Sequence, residues 1–146
     1  MPAVYPIVVL PHTYRGHYPN MAKRDAEVWF RFLEHYGDRF TGFAYNVALG
    51  GLVVDLPDFS EEDQLAWRYK TAPKIDAVGY SDQAVWIIEV KPEAQVGALG
   101  CVVGYTLLAE REAIADRPLQ GAIVCEYCNV DVEWCAQQLK IAVFKV

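Results

Sequence analysis

The stretch IDAVGYSDQAVWIIEVK, residues 75–91, decides the fold. Two apolar runs flank a polar Ser-Asp-Gln turn, which is the pattern of a β-hairpin. The second run, Val85-Trp86-Ile87-Ile88-Glu89-Val90, is apolar at both alternating sets of positions. It therefore reads as a strand buried on both faces. Yet the hairpin carries Asp76, Glu89 and Lys91. Strand alternation puts Glu89 and Lys91 on one face. A turn around residues 81–84 places position 76 opposite 88 or 89, within the ~5–8 Å of direct or diagonal cross-strand neighbours. In the 76–89 register, Asp76 and Glu89 share a face with Lys91 beside them. Two carboxylates that close repel, and either a shared proton or a divalent cation relieves them. Oxygen ligands suit Mg2+, with the lysine stabilising an attacking hydroxide or a phosphate oxygen in metal-assisted phosphodiester hydrolysis. The plain alternative is an acid–lysine pair on the solvent face of an edge hairpin, which contributes little. Charges inside a run this apolar are costly without a task.

The rest of the chain supplies a setting for that hairpin. Its 146 residues, 53% of them hydrophobic, are enough for a single domain with a core. The net charge of −6 argues against coating nucleic acid through bulk charge, so any such contact is local. No apolar run approaches the ~20 residues of a membrane helix. Residues 1–19 are rich in proline and aromatics and read as an extended N-terminal arm, lying on the domain or on a neighbouring chain. They lack a basic start and are broken by Pro2, Pro6 and Pro11, so they do not read as a signal peptide. Residues 20–146 read as one domain.

Within it, Ala26, Trp29, Phe30, Leu33 and Tyr36 mark an amphipathic helix from Met21, with Asn20 as its N-cap and Gly37 as its end. FAYNVAL and LVVDL, around Gly50-Gly51, read as two strands or one interrupted strand. A loop with a short helix capped by Ser60 leads to the hairpin, and Pro92 stops strand pairing. A helix over residues 93–112 follows, in which Gly97, Gly100 and Gly104 make sense as points of close packing on a sheet. GAIVCEY is a strand, NVDVEWCAQQL a short helix capped by Asn129, and KIAVFKV the last strand. The order is α-β-β-β-α-β-α-β, an α/β (α+β) domain with a mixed sheet and helices on its faces. Cys125 and Cys128 have a metal-knuckle spacing, with Cys101 and Cys135 nearby in sequence. Small buried thiols are the favoured reading over a metal site.

Asp76, Glu89-Val90-Lys91 and the glycine-rich helix after them resemble the PD-(D/E)xK nuclease superfamily. The motif match is three residues, and the order of elements extends the resemblance over residues 20–146. It implies a restriction-endonuclease-like central mixed sheet flanked by helices. It also implies a Mg2+- or Mn2+-dependent nuclease acting on DNA, encoded by a phage, mobile element or repair system. By position, Asp76 and Glu89 are the implied metal ligands with the Val90 carbonyl as a third, and Lys91 is the implied catalytic lysine. The family often adds an acid from its first helix, for which Glu27 fits best and Glu34 is the other choice. Gln95 and Tyr105 match the polar residue and tyrosine that some members carry on the following helix, although the spacing is looser, and Ile75 stands where proline is common. Arg68, Lys70 and Lys74, interleaved with Trp67 and Tyr69, suit a phosphate backbone, as do Lys23 and Arg24. The alternative function is a phage head-completion or neck protein that keeps a nuclease-like fold and joins a homo-oligomer or larger assembly through its arm. The expected location is the host cytoplasm, or the virion under that second reading.

Overall fold

The computed structural model describes residues 5–54 and 56–146. Along the chain run β1 (Leu10–Pro11), α1 (Lys23–Tyr36), β2 (Gly42–Ala48), α2 (Glu61–Thr71), β3 (Lys74–Tyr80) and β4 (Val85–Val90). Then come β5 (Glu93–Ala94), α3 (Val96–Arg111), β6 (Leu119–Cys125), β7 (Tyr127–Cys128), α4 (Val130–Gln138) and β8 (Ala142–Lys145). Six strands form one mixed sheet in the order β1-β2-β3-β4-β6-β8. The first four pair antiparallel, while β4, β6 and β8 run parallel through crossovers made by α3 and α4. No helix among the described residues is long and apolar enough to cross a membrane.

Strand alternation divides the core between the two faces of the sheet. On one face Phe43, Ala77, Ile88, Val90, Ala122 and Val124 receive Val28, Trp29, Phe32 and Leu33 of α1. On the other, α3 and α4 pack on Ile123 and Cys125 through Ala98, Leu99, Val102, Val132 and Ala136. Val78, Val85 and Ile87 meet Ala109 of α3 on that same side. β4 lies between β3 and β6 and is buried along nearly its whole length, which accounts for its unbroken apolar run. The hairpin turn closes through Ser81 N–H to the Ala84 carbonyl at 3.0 Å.

Several local expectations change. α1 begins at Lys23 with Ala22 in the cap position, closed by the Asp25 carboxylate accepting from the Ala22 N–H at 3.0 Å. Asn20 therefore caps nothing. The predicted loop helix is a full α2 of 11 residues, and Ser60 does cap it by accepting from Asp63 N–H. Residues 52–54 form no strand, and Leu52 and Val53 are exposed; the rest of that LVVDL reading includes Asp55, which lies outside the described residues. Pro92 follows the end of pairing in the main sheet, where β4 stops at Val90, and β5 comes directly after it in a separate two-stranded sheet, parallel to β7.

The outward glycines of α3 are a further correction. A Cβ built at Gly97, Gly100 or Gly104 meets nothing within 4 Å, so these residues do not seat the helix on the sheet. The close approach is at Gly121 of β6, where a Cβ would stand 2.5 Å from Val102 Cγ1. Residues 5–19 of the arm fold back on their own domain; residues 1–4 lie outside the described residues. β1 pairs with β2 at Gly42, Tyr5 packs on Tyr69, and Tyr18 packs on Tyr45.

Trp29 is wholly buried against Phe32 and Phe43, whereas Trp134 of α4 is exposed. Trp29→Ala is expected to lower the unfolding free energy by ~3–5 kcal/mol. Trp134→Ala is expected to stay within about 0.5 kcal/mol. Urea denaturation of both variants checks the assignment of the core face.

Candidate active site

The β3–β4 ladder runs from Tyr80↔Val85 to Ala77↔Ile88. One more step brings Asp76 opposite Glu89, the register in which both acids share a face. Here the side chain takes over from the backbone: Asp76 Oδ2 accepts the Val90 N–H at 2.9 Å. Its other oxygen, Oδ1, accepts from Asn20 Nδ2 at 2.7 Å. Lys91 Nζ stands 3.5 Å from Glu89 Oε1, and Glu89 Oε2 is buried with no hydrogen-bond partner. Both acids are buried, while the Lys91 side chain is 48% exposed, so the cluster opens to solvent on the lysine side.

The electrostatics follow from that placement. Burial is the main cause that raises Asp76 above the ordinary carboxylate range, against the lowering effect of the Val90 N–H, Asn20 and Lys91. Glu89 is pushed up to about 7, first by burial and then by the negative charge of Asp76, with Lys91 opposing both. For Lys91, burial pulls downward, but the charges of Glu89, Asp76 and Asp25 prevail and raise it. Half-buried Tyr105 of α3 is also raised, by burial first and then by the charge of Glu89.

Asp76, Glu89 and Lys91 are thus brought together, while Tyr105 packs on the core with Val78, Val85 and Ile87. Gln95 is exposed at the N-cap of α3 and makes no capping bond. Glu27 is exposed, on the α1 face that carries Arg24 and Arg31, both of which pair with Glu126. The α1 acid whose charge reaches the cluster is Asp25, not Glu27. Lys74 is engaged within the fold: its Nζ donates to the Tyr69 and Ala72 carbonyls at 2.7 and 3.1 Å. The Nε of Arg68 is buried without a partner, and Lys70 alone of the three basic residues extends into solvent, above the Trp67 ring. Cys125 and Cys128 are buried under α3 and α4, and burial first, then each other or Glu133, pushes their thiols up, Cys125 to about 12.

The donor set fits a hard divalent cation. Glu89 Oε2 has no partner, and each Asp76 oxygen keeps a free lone pair beyond the bond it accepts. In an extended strand a residue's N–H and C=O point to the same edge, so the Val90 carbonyl faces the side where its N–H meets Asp76. Among the described residues no group of three or more His, Cys, Asp or Glu side chains is placed to hold a metal ion. Mg2+ is usually held by one or two carboxylates and keeps several waters.

Asn20 and Asp25 escaped the sequence reading. Asn20 lies 56 positions from Asp76, and nothing local marks that contact. Asp25 stands in the first turn of α1, where an acid reads as a partner for the free N–H groups of the helix start, a role it fills at Ala22. No family model, curated protein or solved structure matches the chain.

A raised carboxylate has a defined consequence for stability. Below its ordinary value of 4.5, Glu89 is protonated in folded and unfolded chains alike. Between 4.5 and about 7 the folded state keeps a proton that the unfolded state releases, so raising the pH removes stability. The melting temperature of metal-free protein is expected to fall from pH 5 to pH 8, and Glu89→Gln is expected to flatten the fall. Thermal melts in EDTA across this range check it; a Glu89→Gln profile as steep as wild type would place the titration elsewhere.

Proposed function

We propose that the chain is a metal-dependent deoxyribonuclease of the PD-(D/E)xK type, with a restriction-endonuclease-like fold. The observation that carries this reading is the convergence of two buried carboxylates and a half-exposed lysine at the open end of the β3–β4 ladder, with one carboxylate oxygen left unpaired. Buried ionisable groups without partners cluster at functional sites.

Asp76, Glu89 and the Val90 carbonyl would hold Mg2+ or Mn2+, which when bound neutralises phosphate charge and lowers the pKa of water. The protein's own groups do the rest. Asn20 and the Val90 N–H fix the Asp76 carboxylate in one orientation. Lys91 is held beside Glu89 and kept protonated by its acidic neighbours. It therefore acts as a fixed cation toward a phosphate oxygen and stabilises the charge that grows during attack, rather than removing a proton. Lys70 on α2 and Lys23 at the start of α1 are exposed and free to meet flanking phosphates, while Arg24 beside Lys23 pairs with Glu126.

Cleavage of supercoiled, linear and single-stranded DNA with Mg2+ or Mn2+ tests the reading. Lys91→Ala and Asp76→Ala are expected to lose at least ~100-fold in rate. Asn20→Ala, a positioning change, is expected to lose roughly 10- to 100-fold and to weaken metal dependence in parallel. Mg2+ at pH 8 is expected to raise the melting temperature of wild type and not of Glu89→Gln. Folded protein that cuts none of these substrates, or a Lys91→Ala variant that cuts as fast as wild type, would sink the proposal and leave the assembly reading in its place.

A further inference from the structure

A cleft of about 480 Å3 opens along β2, the strand that pairs with β3, and the chemistry above makes no use of it. Its size is within the ~300–1,000 Å3 of small-molecule sites. Tyr5, Pro19, Tyr45, Asn46 and Tyr69 are among its walls. The Tyr5 and Tyr69 rings stand 4.5 Å apart at 76°, so they make a corner in which a flat ring meets a face on one side and an edge on the other. Such offset and edge arrangements are the favoured aromatic contacts.

Asn46 gives the cleft a polar point. Its φ of 53° is in the left-handed region, an unusual conformation within a strand. Its Nδ2 donates to the Tyr69 hydroxyl at 3.1 Å, while its Oδ1 is buried with no partner. A buried acceptor of this kind calls for an N–H donor. Its place in the sheet ties it to the candidate active site. Tyr45 pairs with Ala77 and Val47 with Ile75, so Asn46 lies level with Asp76 on the neighbouring strand, about 5 Å away. Pro19 precedes Asn20, whose amide holds Asp76.

We propose that this cleft takes one unpaired nucleobase from a DNA strand whose phosphate lies at Asp76, Glu89 and Lys91, so that the enzyme selects single-stranded or frayed DNA over intact duplex. The inference rests on the nuclease reading for the position of the phosphate. An extruded base supplies the flat aromatic ring that the tyrosine corner fits, and its Watson–Crick edge supplies the N–H that Asn46 Oδ1 lacks. In a duplex that edge is occupied by the complementary strand and the base is stacked, so entry requires unpairing first.

Fluorescence anisotropy in EDTA, where metal-dependent cutting is blocked, separates binding from cleavage. The probes are a labelled single strand, the same sequence as blunt duplex, and the single strand carrying abasic sites. The intact single strand is expected to bind roughly tenfold more tightly than either other probe. Tyr5→Ala and Tyr69→Ala are expected to erase that difference while keeping the wild-type far-UV spectrum. The abasic comparison uses unaltered protein and so stands even if a tyrosine variant misfolds. Equal binding of duplex and single strand, or abasic strands bound as tightly as intact ones, overturns the cleft assignment. If Mg2+-dependent cutting survives that result, the nuclease reading stands without it. If base-dependent binding appears with no cutting under any metal, the cleft assignment stands and the nuclease reading fails.

Discussion

The bond from the Val90 N–H to the Asp76 carboxylate sets the arrangement of everything around it. It replaces a backbone rung with a side chain at the last step of the β3–β4 pairing, and so fixes an acid at the mouth of a buried strand. Once Asp76 is held there, register puts Glu89 across from it and alternation puts Lys91 beside Glu89. The cost is two carboxylates brought out of water side by side, which no hydrophobic neighbour can offset. Polar groups from distant parts of the chain converge to relieve it: Asn20 from the segment before α1, the Val90 amide from β4 and the ammonium of Lys91. Glu89 Oε2 is the remainder that the protein leaves unmet.

The surrounding fold explains how so much charge is tolerated. β4 is sandwiched between α1 on one face and α3 on the other, so its apolar residues fix it in place on both sides. The acids sit where that sandwich ends. A rigid strand with polar groups at its tip holds a constellation more accurately than a loop does.

What the sequence made legible was local. The hairpin, its turn at residues 81–84 and the shared face of Glu89 and Lys91 follow from a period of two and from turn chemistry. The helix caps at Ser60 and Asn129 follow from short polar side chains before an apolar run. The misses involve long-range geometry. Depth in α1 favours Glu27, but the buried set Val28, Trp29, Phe32 and Leu33 turns that position to solvent. LVVDL has strand composition, yet nothing in the sequence says whether a partner strand waits for it. The glycines of α3 read as packing points because glycine otherwise only weakens a helix. The face is set instead by Ala98, Leu99 and Val102, and the small residue that admits Val102 is Gly121 on the strand. Lys74 illustrates the same limit: a lysine before a strand reads as a free cation until the end of α2 is placed beneath it.

The short strap β1 has a consequence of another kind. β2 would otherwise present an open edge of hydrogen-bonding groups, and open edges recruit strands from other chains. β1 covers it with only two residues, one of them Pro11, which has no N–H to offer onward. The approach is close enough that a Cβ at Gly42 would stand 2.5 Å from the Leu10 carbonyl oxygen. Residue 42 thus guards the colloidal behaviour of the protein as well as its fold. With any larger side chain there the strap is displaced, and the sheet gains a sticky border along which one molecule can template the misassembly of the next.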